Sequence, residues 1–203
     1  RGTSQDVRTY LISESDYEDH YIRFIENHDE LRAIEAFGRE KSKAAAVIFS
    51  TLMGLRFFHD GQLEGRSIRI PLQLSHVQLE KDDQEIFDHY MKLLKLANDR
   101  ILHDGEWILL DSRNVSNEDR TNDNLLSWAW KFGDSFKIIV VNYSGITSQG
   151  FIKMPTDFED CSIVFFDELT GEKYVYRLDK ILNEGLYIRL EPFQSHFFSV
   201  QKL

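Results

Sequence analysis

Two short apolar runs constrain this chain more than anything else in it. Tyr21-Ile22-Arg23-Phe24-Ile25 and Leu55-Arg56-Phe57-Phe58 are both β-prone. Both stop abruptly at a polar cluster containing His-Asp: Glu26-Asn27-His28-Asp29 after the first, His59-Asp60-Gly61-Gln62 after the second. Between them, Leu31 to Phe37 can begin a helix. Lys41 to Met53 is a stronger helix, with Ala44, Val47, Ile48 and Leu52 near one face, Ser42 as its cap and Gly54 as its stop. A further amphipathic helix is predicted from Asp82 to Asn98. Ile86, Tyr90, Leu93, Leu94 and Ala97 form its stripe, and Asp82 and Asp83 favour its positive end. Strand, helix, strand, helix is the order that lays strands in parallel under a cover of helices.

After Leu102 the texture changes. His103-Asp104-Gly105 reads as a turn and marks the boundary. Short strands follow at Glu106–Leu110, Leu125–Lys131, Phe136–Asn142, Gly150–Met154, Ser162–Asp167, Lys173–Leu178, Leu186–Leu190 and His196–Val200. Gly133-Asp134, Ser144-Gly145, Thr170-Gly171 and Glu184-Gly185 punctuate them. This spacing fits an antiparallel β-sandwich of about eight strands. The predicted fold class is therefore α/β plus all-β, with residues 1–102 forming one part and residues 103–203 the other. At 203 residues there is room for such a core.

Charge narrows the partners. With 24 basic and 34 acidic side chains the formal charge is −10, which repels a phosphate backbone and an anionic bilayer. Nucleic acid and membrane are thus excluded as first partners, whereas a neutral sugar is indifferent to that charge. Cys161 is the single cysteine, so no internal disulfide or cysteine metal cluster can form. That suits a reducing compartment, and the cytoplasm is favoured. The longest apolar stretch, Ala44 to Leu55, is too short to span a bilayer. The chain begins with Arg1 and shows no secretory signal, and reads as a piece of a longer polypeptide. The histidines have no metal-ligand spacing. There is no Gly-rich phosphate loop, GxSxG elbow or Cys-His arrangement, so neither metal nor cofactor is expected.

In a barrel of parallel strands, catalytic groups collect at the carboxyl ends, which share one rim. A His-Asp pair there suits a polyol: both groups hydrogen-bond vicinal hydroxyls, and a carboxylate stabilises a developing oxocarbenium charge. The same dipeptide also serves as an ordinary surface turn or helix cap, and the residues alone leave both readings open. Trp128 and Trp130, two apart on one predicted strand, are either core or a sugar-stacking face. The latter would make the chain a non-catalytic carbohydrate-binding or interaction module.

Phe24-Ile25-Glu26-Asn27-His28-Asp29 resembles the strand-seven motif of the α-amylase superfamily of glycoside hydrolases (family 13), an apolar pair and an acidic residue before Asn-His-Asp. The stretch from Gly54 to Gln62, with Glu64 beyond, resembles the eighth strand, where an apolar strand runs into Gly-Gln and an acidic residue. A terminal helix and an all-β tail complete the likeness. It implies the last two β/α units of a (β/α)8 barrel followed by a β-sandwich. It further implies a parent enzyme that cleaves α-glucosidic bonds of starch- or glycogen-like glucans with retention. Asp29 would be the catalytic carboxylate that grips the sugar and stabilises the transition state. His28 would bind its hydroxyls, and Asn27 and Glu26 would support them. Arg32 would pair with a rim carboxylate, and Gln62, Glu64 and Arg66 would shape the cleft. The family's nucleophile and general acid sit on strands four and five. A complete barrel takes roughly 250 residues, more than the whole chain has, so those groups lie upstream and the chain alone is predicted inactive. The family's calcium belongs to an upstream domain, so none is expected here. Two barrel strands without neighbours leave an open edge, which predicts a homodimer through that face or its rearrangement.

Overall fold

The two β-prone runs pair. In a computed structural model, residues 2–13, 20–71, 80–155 and 162–202 are described, and Cys161 lies outside them. Helix α1 (Ser4–Ser13) precedes strand β1 (Ile22–Arg23). Helices α2 (Ala33–Phe37) and α3 (Arg39–Thr51) lead to β2 (Leu55–Arg56). β1 and β2 run parallel, with Ile22 opposite Leu55 and Arg23 opposite Arg56. The Leu55 and Phe57 N–H groups donate to the Tyr21 and Arg23 carbonyls, each at 2.9 Å. Parallel pairing places both polar clusters at one end of the pair. The strands are shorter than the runs that encode them because the ladder extends only where the two backbones stay in register.

Gly38, at φ 76°, separates α2 from α3 and occupies the N-cap of α3. The expected cap, Ser42, instead lies inside the helix, buried, its hydroxyl donating to the Arg39 carbonyl at 2.7 Å. Every residue from Ala44 to Thr51 is buried. A helix apolar on all sides has neighbours on all sides, and α3 packs on α4 (Gln84–Ala97) and on the large sheet. α4 begins at Gln84, two residues after the expected start, and Asp83 is its N-cap: the carboxylate accepts the N–H groups of Glu85 and Ile86 at 3.1 and 3.2 Å. Ile86, Tyr90, Leu93 and Ala97 are buried, while Leu94 sits at the edge of the stripe. His103 and Asp104 do not form the expected turn. They close a short helix, α5 (Ile101–Asp104), whose end the Gly105 N–H ties to the Ile101 carbonyl at 3.1 Å.

The remaining strands are β3 (Glu106–Leu109), β4 (Ser112–Arg113), β5 (Leu125–Phe132), β6 (Ser135–Asn142), β7 (Ser148–Ile152), β8 (Ser162–Asp167), β9 (Lys173–Arg177), β10 (Leu186–Leu190) and β11 (Ser195–Lys202), with helix α6 (Leu178–Glu184) after β9. Among the described residues they form two antiparallel sheets, a six-stranded one in the order β3-β5-β6-β11-β8-β9 and a three-stranded one in the order β10-β7-β4.

Alternation along the large sheet explains its continuous apolar runs. Leu126, Trp128, Trp130, Ile139, Val141 and Phe197 point to one face and pack with α3 and α4. Leu125, Ala129, Ile138, Val140 and Phe198 point to the other and pack with Ile152, Ile188 and Leu190 of the small sheet. With both faces covered, no position needs to be polar. The first of these cores spans the Leu102–His103 boundary. No described helix is long and apolar enough to cross a membrane.

Candidate functional site

The polar clusters after β1 and β2 are tied together by one buried guanidinium. Arg32, just before α2, points back beneath the strand ends. Its Nη1 donates to Glu26 Oε1 at 2.6 Å and to the Asp60 carbonyl at 2.8 Å, and lies 2.6 Å from His59 Nδ1. Its Nε donates to the Ile68 carbonyl at 3.3 Å. The other oxygen of Glu26 accepts the Ala33 N–H at 2.6 Å, so one carboxylate neutralises the arginine and caps α2. Both side chains are almost fully buried, at 5% and 1% exposure. Their desolvation is offset by the ion pair and by the hydrogen bonds that Nε, Nη1 and both carboxylate oxygens make.

Gly61 shows why the loop after β2 begins as it does. Its φ is +83°, and a Cβ there would collide with Arg32 Nη2 and Arg66 Cδ. Gln62 is buried. Its Oε1 accepts the His59 N–H at 3.1 Å and its Nε2 donates to Tyr90 Oη at 2.9 Å. Burial pushes the Tyr90 phenol well above its ordinary range, against a smaller opposing effect of the Gln62 bond. Further along, Glu80 accepts from the Ser67 hydroxyl at 2.6 Å and from the Ser67 and Ile68 N–H groups at 2.8 and 3.1 Å. Burial tends to raise the Glu80 pKa. Those hydrogen bonds and the Arg32 charge outweigh it and hold the carboxyl below the usual range.

Above this base stand the two side chains singled out as sugar-binding. His28 and Asp29 are 52% and 75% exposed, with Nε2 and Oδ2 3.2 Å apart. The turn that presents them is built by Asn27, whose Oδ1 accepts the Asp29 and Glu30 N–H groups, both at 2.9 Å. Arg69, on the loop after β2, reaches the His28 carbonyl at 3.3 Å. Glu64 is half-buried and its carbonyl accepts the Asp83 N–H at 2.9 Å. Arg66 lies 3.9 Å from Asp82.

The structure thus divides the candidates, with Glu26 and Arg66 placed as above. His28 and Asp29 face solvent together. Asn27 shapes their turn, Arg32 and Gln62 are engaged inside the protein, and Glu64 stands beside the start of α4. His59, Glu80 and Tyr90 belong to the same assembly but went unassigned. The one signal for His59 was its place in the second polar cluster, and Tyr90 was legible only as part of a helical stripe. Among the described residues no group of three or more His, Cys, Asp or Glu is placed to hold a metal ion. Trp128 and Trp130 are buried, at 0% and 3% exposure, so the strand offered as a sugar-stacking face offers none.

No family model matches the chain and no curated protein does. Solved structures do. A noncanonic maltogenic α-amylase, AmyB from Thermotoga neapolitana, superposes with a TM-score of 0.77 at 16% identity, over 98% of this chain and 46% of that one. The α-amylase of Geobacillus thermoleovorans, complexed with acarbose, gives 0.71 at 18%, over 97% and 42%. The Bacillus licheniformis trehalose-6-phosphate hydrolase gives 0.64 at 14%, over 98% and 47%. The chain has the fold of a C-terminal part of α-amylase-type glycosidases. It spans less than half the length of each of these structures. At such identities the α-amylase-type likeness is one of backbone, and the roles of individual residues rest on the geometry above.

Proposed function

We propose that this chain is the C-terminal part of an α-amylase-like retaining glycoside hydrolase acting on α-glucosidic bonds of starch- or glycogen-like glucans. β1 and β2 are read as the last two strands of a (β/α)8 barrel, and the two antiparallel sheets as its C-terminal sandwich, with the division near Leu102. One observation carries the reading. Two parallel strands, one helical segment apart, end side by side, and the exposed His28–Asp29 pair stands on a buried base that links both ends. Asp29 is assigned the carboxylate that stabilises positive charge developing on the sugar ring, and His28 the hydroxyl partner. Glu26, Asn27, Arg32 and Gln62 are positioning residues, and Glu64 lines the rim.

Retaining hydrolysis needs one carboxylate to attack and another to protonate the leaving oxygen, about 5 Å apart. Asp29 alone cannot do both, so the reacting pair is assigned to the upstream part and the 203-residue chain is inactive by itself. Ile22, Phe24, Leu55 and Phe57 are exposed on the strand pair, and we assign this face to contact with a second copy when the upstream part is missing.

The test uses the full-length protein of the parent gene. It should hydrolyse maltoheptaose with retention, and Asp29→Asn should lower kcat by about 10²–10³-fold, the scale of losing a transition-state charge partner. A full-length protein without activity on α-glucans, or one whose Asp29→Asn variant keeps its kcat, overturns the reading.

A further inference from the structure

The buried tryptophans leave open where else a sugar chain meets an aromatic surface. On the outer face of the β10-β7-β4 sheet, the register sets Arg113, Phe151 and Tyr187 abreast. The Arg113 guanidinium lies over the Phe151 ring, 5.2 Å from its centroid. Phe151 and Tyr187 follow at 5.6 Å with their planes 58° apart. Tyr187 keeps 38% of its surface exposed. Its hydroxyl donates to Gln149 Oε1 at 2.7 Å, and Gln149 Nε2 donates to Asp119 Oδ2 at 2.7 Å. Arg113 is fixed in turn by the Glu184 carbonyl, which accepts from its Nε at 3.0 Å. Beside Arg113 and Phe151, a groove of about 300 Å³ runs toward α6, with Asp111 and Lys153 among its lining.

Two features narrow the occupant. Arg113, Lys153 and Arg189 are matched by Asp111, Asp119 and Glu184, so the face does not select an ion by net charge. The polar groups are planar amide, guanidinium and carboxylate, set beside aromatic rings already held in place. A neutral polyhydroxylated ring has the matching surface: its C–H face packs on an aromatic ring and its hydroxyls exchange hydrogen bonds with planar polar groups. A sheet face is also flat and extended, which suits a polymer more than a single sugar.

We propose that this face is an accessory platform for α-glucan chains, with Tyr187 as the stacking residue and Gln149 and Asp119 as hydroxyl partners. The choice of α-glucan among neutral sugars rests on the functional reading above. The platform is separate from the His28–Asp29 rim, and it binds without cleaving.

Affinity electrophoresis of the 203-residue chain in native gels containing soluble starch or glycogen tests it. The wild type should be retarded. Tyr187→Ala and Gln149→Ala should each weaken the apparent affinity about tenfold, while Met91→Ala, at an exposed position of α4 away from both sites, should be retarded as the wild type is. Should Tyr187→Ala fail to fold by circular dichroism, Gln149→Ala, which leaves both rings in place, carries the test. An unretarded wild type, or variants retarded like the wild type, overturns the platform. Loss of retardation in Asp29→Asn but not in Tyr187→Ala moves binding to the rim: the platform falls and the functional reading stands. Tyr187-dependent retardation together with a full-length protein that cannot cleave α-glucans supports the platform and removes the hydrolase assignment.

Discussion

Arg32 is the residue on which the two strand ends depend, because it links both from a nearly buried position. Its side chain is 5% exposed and faces a carboxylate, an imidazole and two carbonyls. Replacing it with Met keeps the stem but leaves Glu26 buried and uncompensated. Arg32→Met should cost about 3–5 kcal/mol in urea unfolding, the range for breaking a buried pair from one side. The double variant Glu26→Gln/Arg32→Met should recover part of that loss, since no buried charge remains. A second buried carboxylate contributes to stability at acid pH. Asp167 accepts from His196 Nδ1 and the Thr170 hydroxyl, each at 2.8 Å, and from the Phe197 N–H at 3.1 Å. Burial tends to raise its pKa, but these bonds outweigh burial and hold it below the usual value. A folded-state pKa below the unfolded one means the unfolded chain binds the proton more readily. The contribution of Asp167 is therefore complete above its unfolded pKa, about 4, and is lost as pH falls through the depressed value. Unfolding free energy measured from pH 6 downward should fall below about pH 4, and Asp167→Asn should flatten that fall.

At the level of elements, α4 holds the Gln62–Tyr90 bond under the loop after β2, so its first turn bears on the rim. Asp83 satisfies two of its free N–H groups. Asp83→Ala should destabilise the protein by about 1 kcal/mol, the usual cost of an N-cap, read as a lower urea midpoint with unchanged slope. The acidic start of this helix was legible from Asp82-Asp83 ahead of a 3.6-residue stripe, as was the existence of β5, β6, β8 and β10 from their apolar runs; the cap itself was not assigned. What escaped has a physical reason in each case. α1 is a polar helix whose burial falls on Ser4 and Leu11, too few residues to give a period. β4 is two residues long and exists by pairing with β7, a contact made far along the chain. The partner of Arg32 had no name in the sequence because Glu26 meets it only after the Asn27 turn folds the chain back. The exposed aromatic row is likewise a cross-strand product: Arg113, Phe151 and Tyr187 come from three distant segments and become neighbours through register alone.

Over the whole molecule, apolar surface is unevenly covered. The central strands β5 and β6 of the large sheet are buried on both faces, yet the β1–β2 pair leaves Ile22, Phe24, Leu55 and Phe57 exposed at 58, 43, 63 and 39%. Phe24 and Phe57 meet edge to face at 6.2 Å, and Phe57 also stacks on the His59 ring at 6.5 Å. Beside them a groove of about 290 Å³ opens between α1, β1 and α3, lined by Tyr10, Tyr21 and Phe49. Among the described residues no third strand pairs with either edge of β1–β2. Such an edge is a template for another strand, and aliphatic and aromatic side chains beside it add apolar burial to backbone pairing. In the parent enzyme proposed above, neighbouring strands cover this face. In the isolated chain a second copy can do so, at the rate concentration dictates. Sedimentation velocity should therefore show reversible self-association rising through the micromolar range. Leu55→Lys should shift it to monomer while changing stability by no more than about 0.5 kcal/mol, as for other exposed positions. A wild type that stays monomeric at the highest soluble concentration overturns the self-association, and a Leu55→Lys variant that associates equally well places the contact elsewhere.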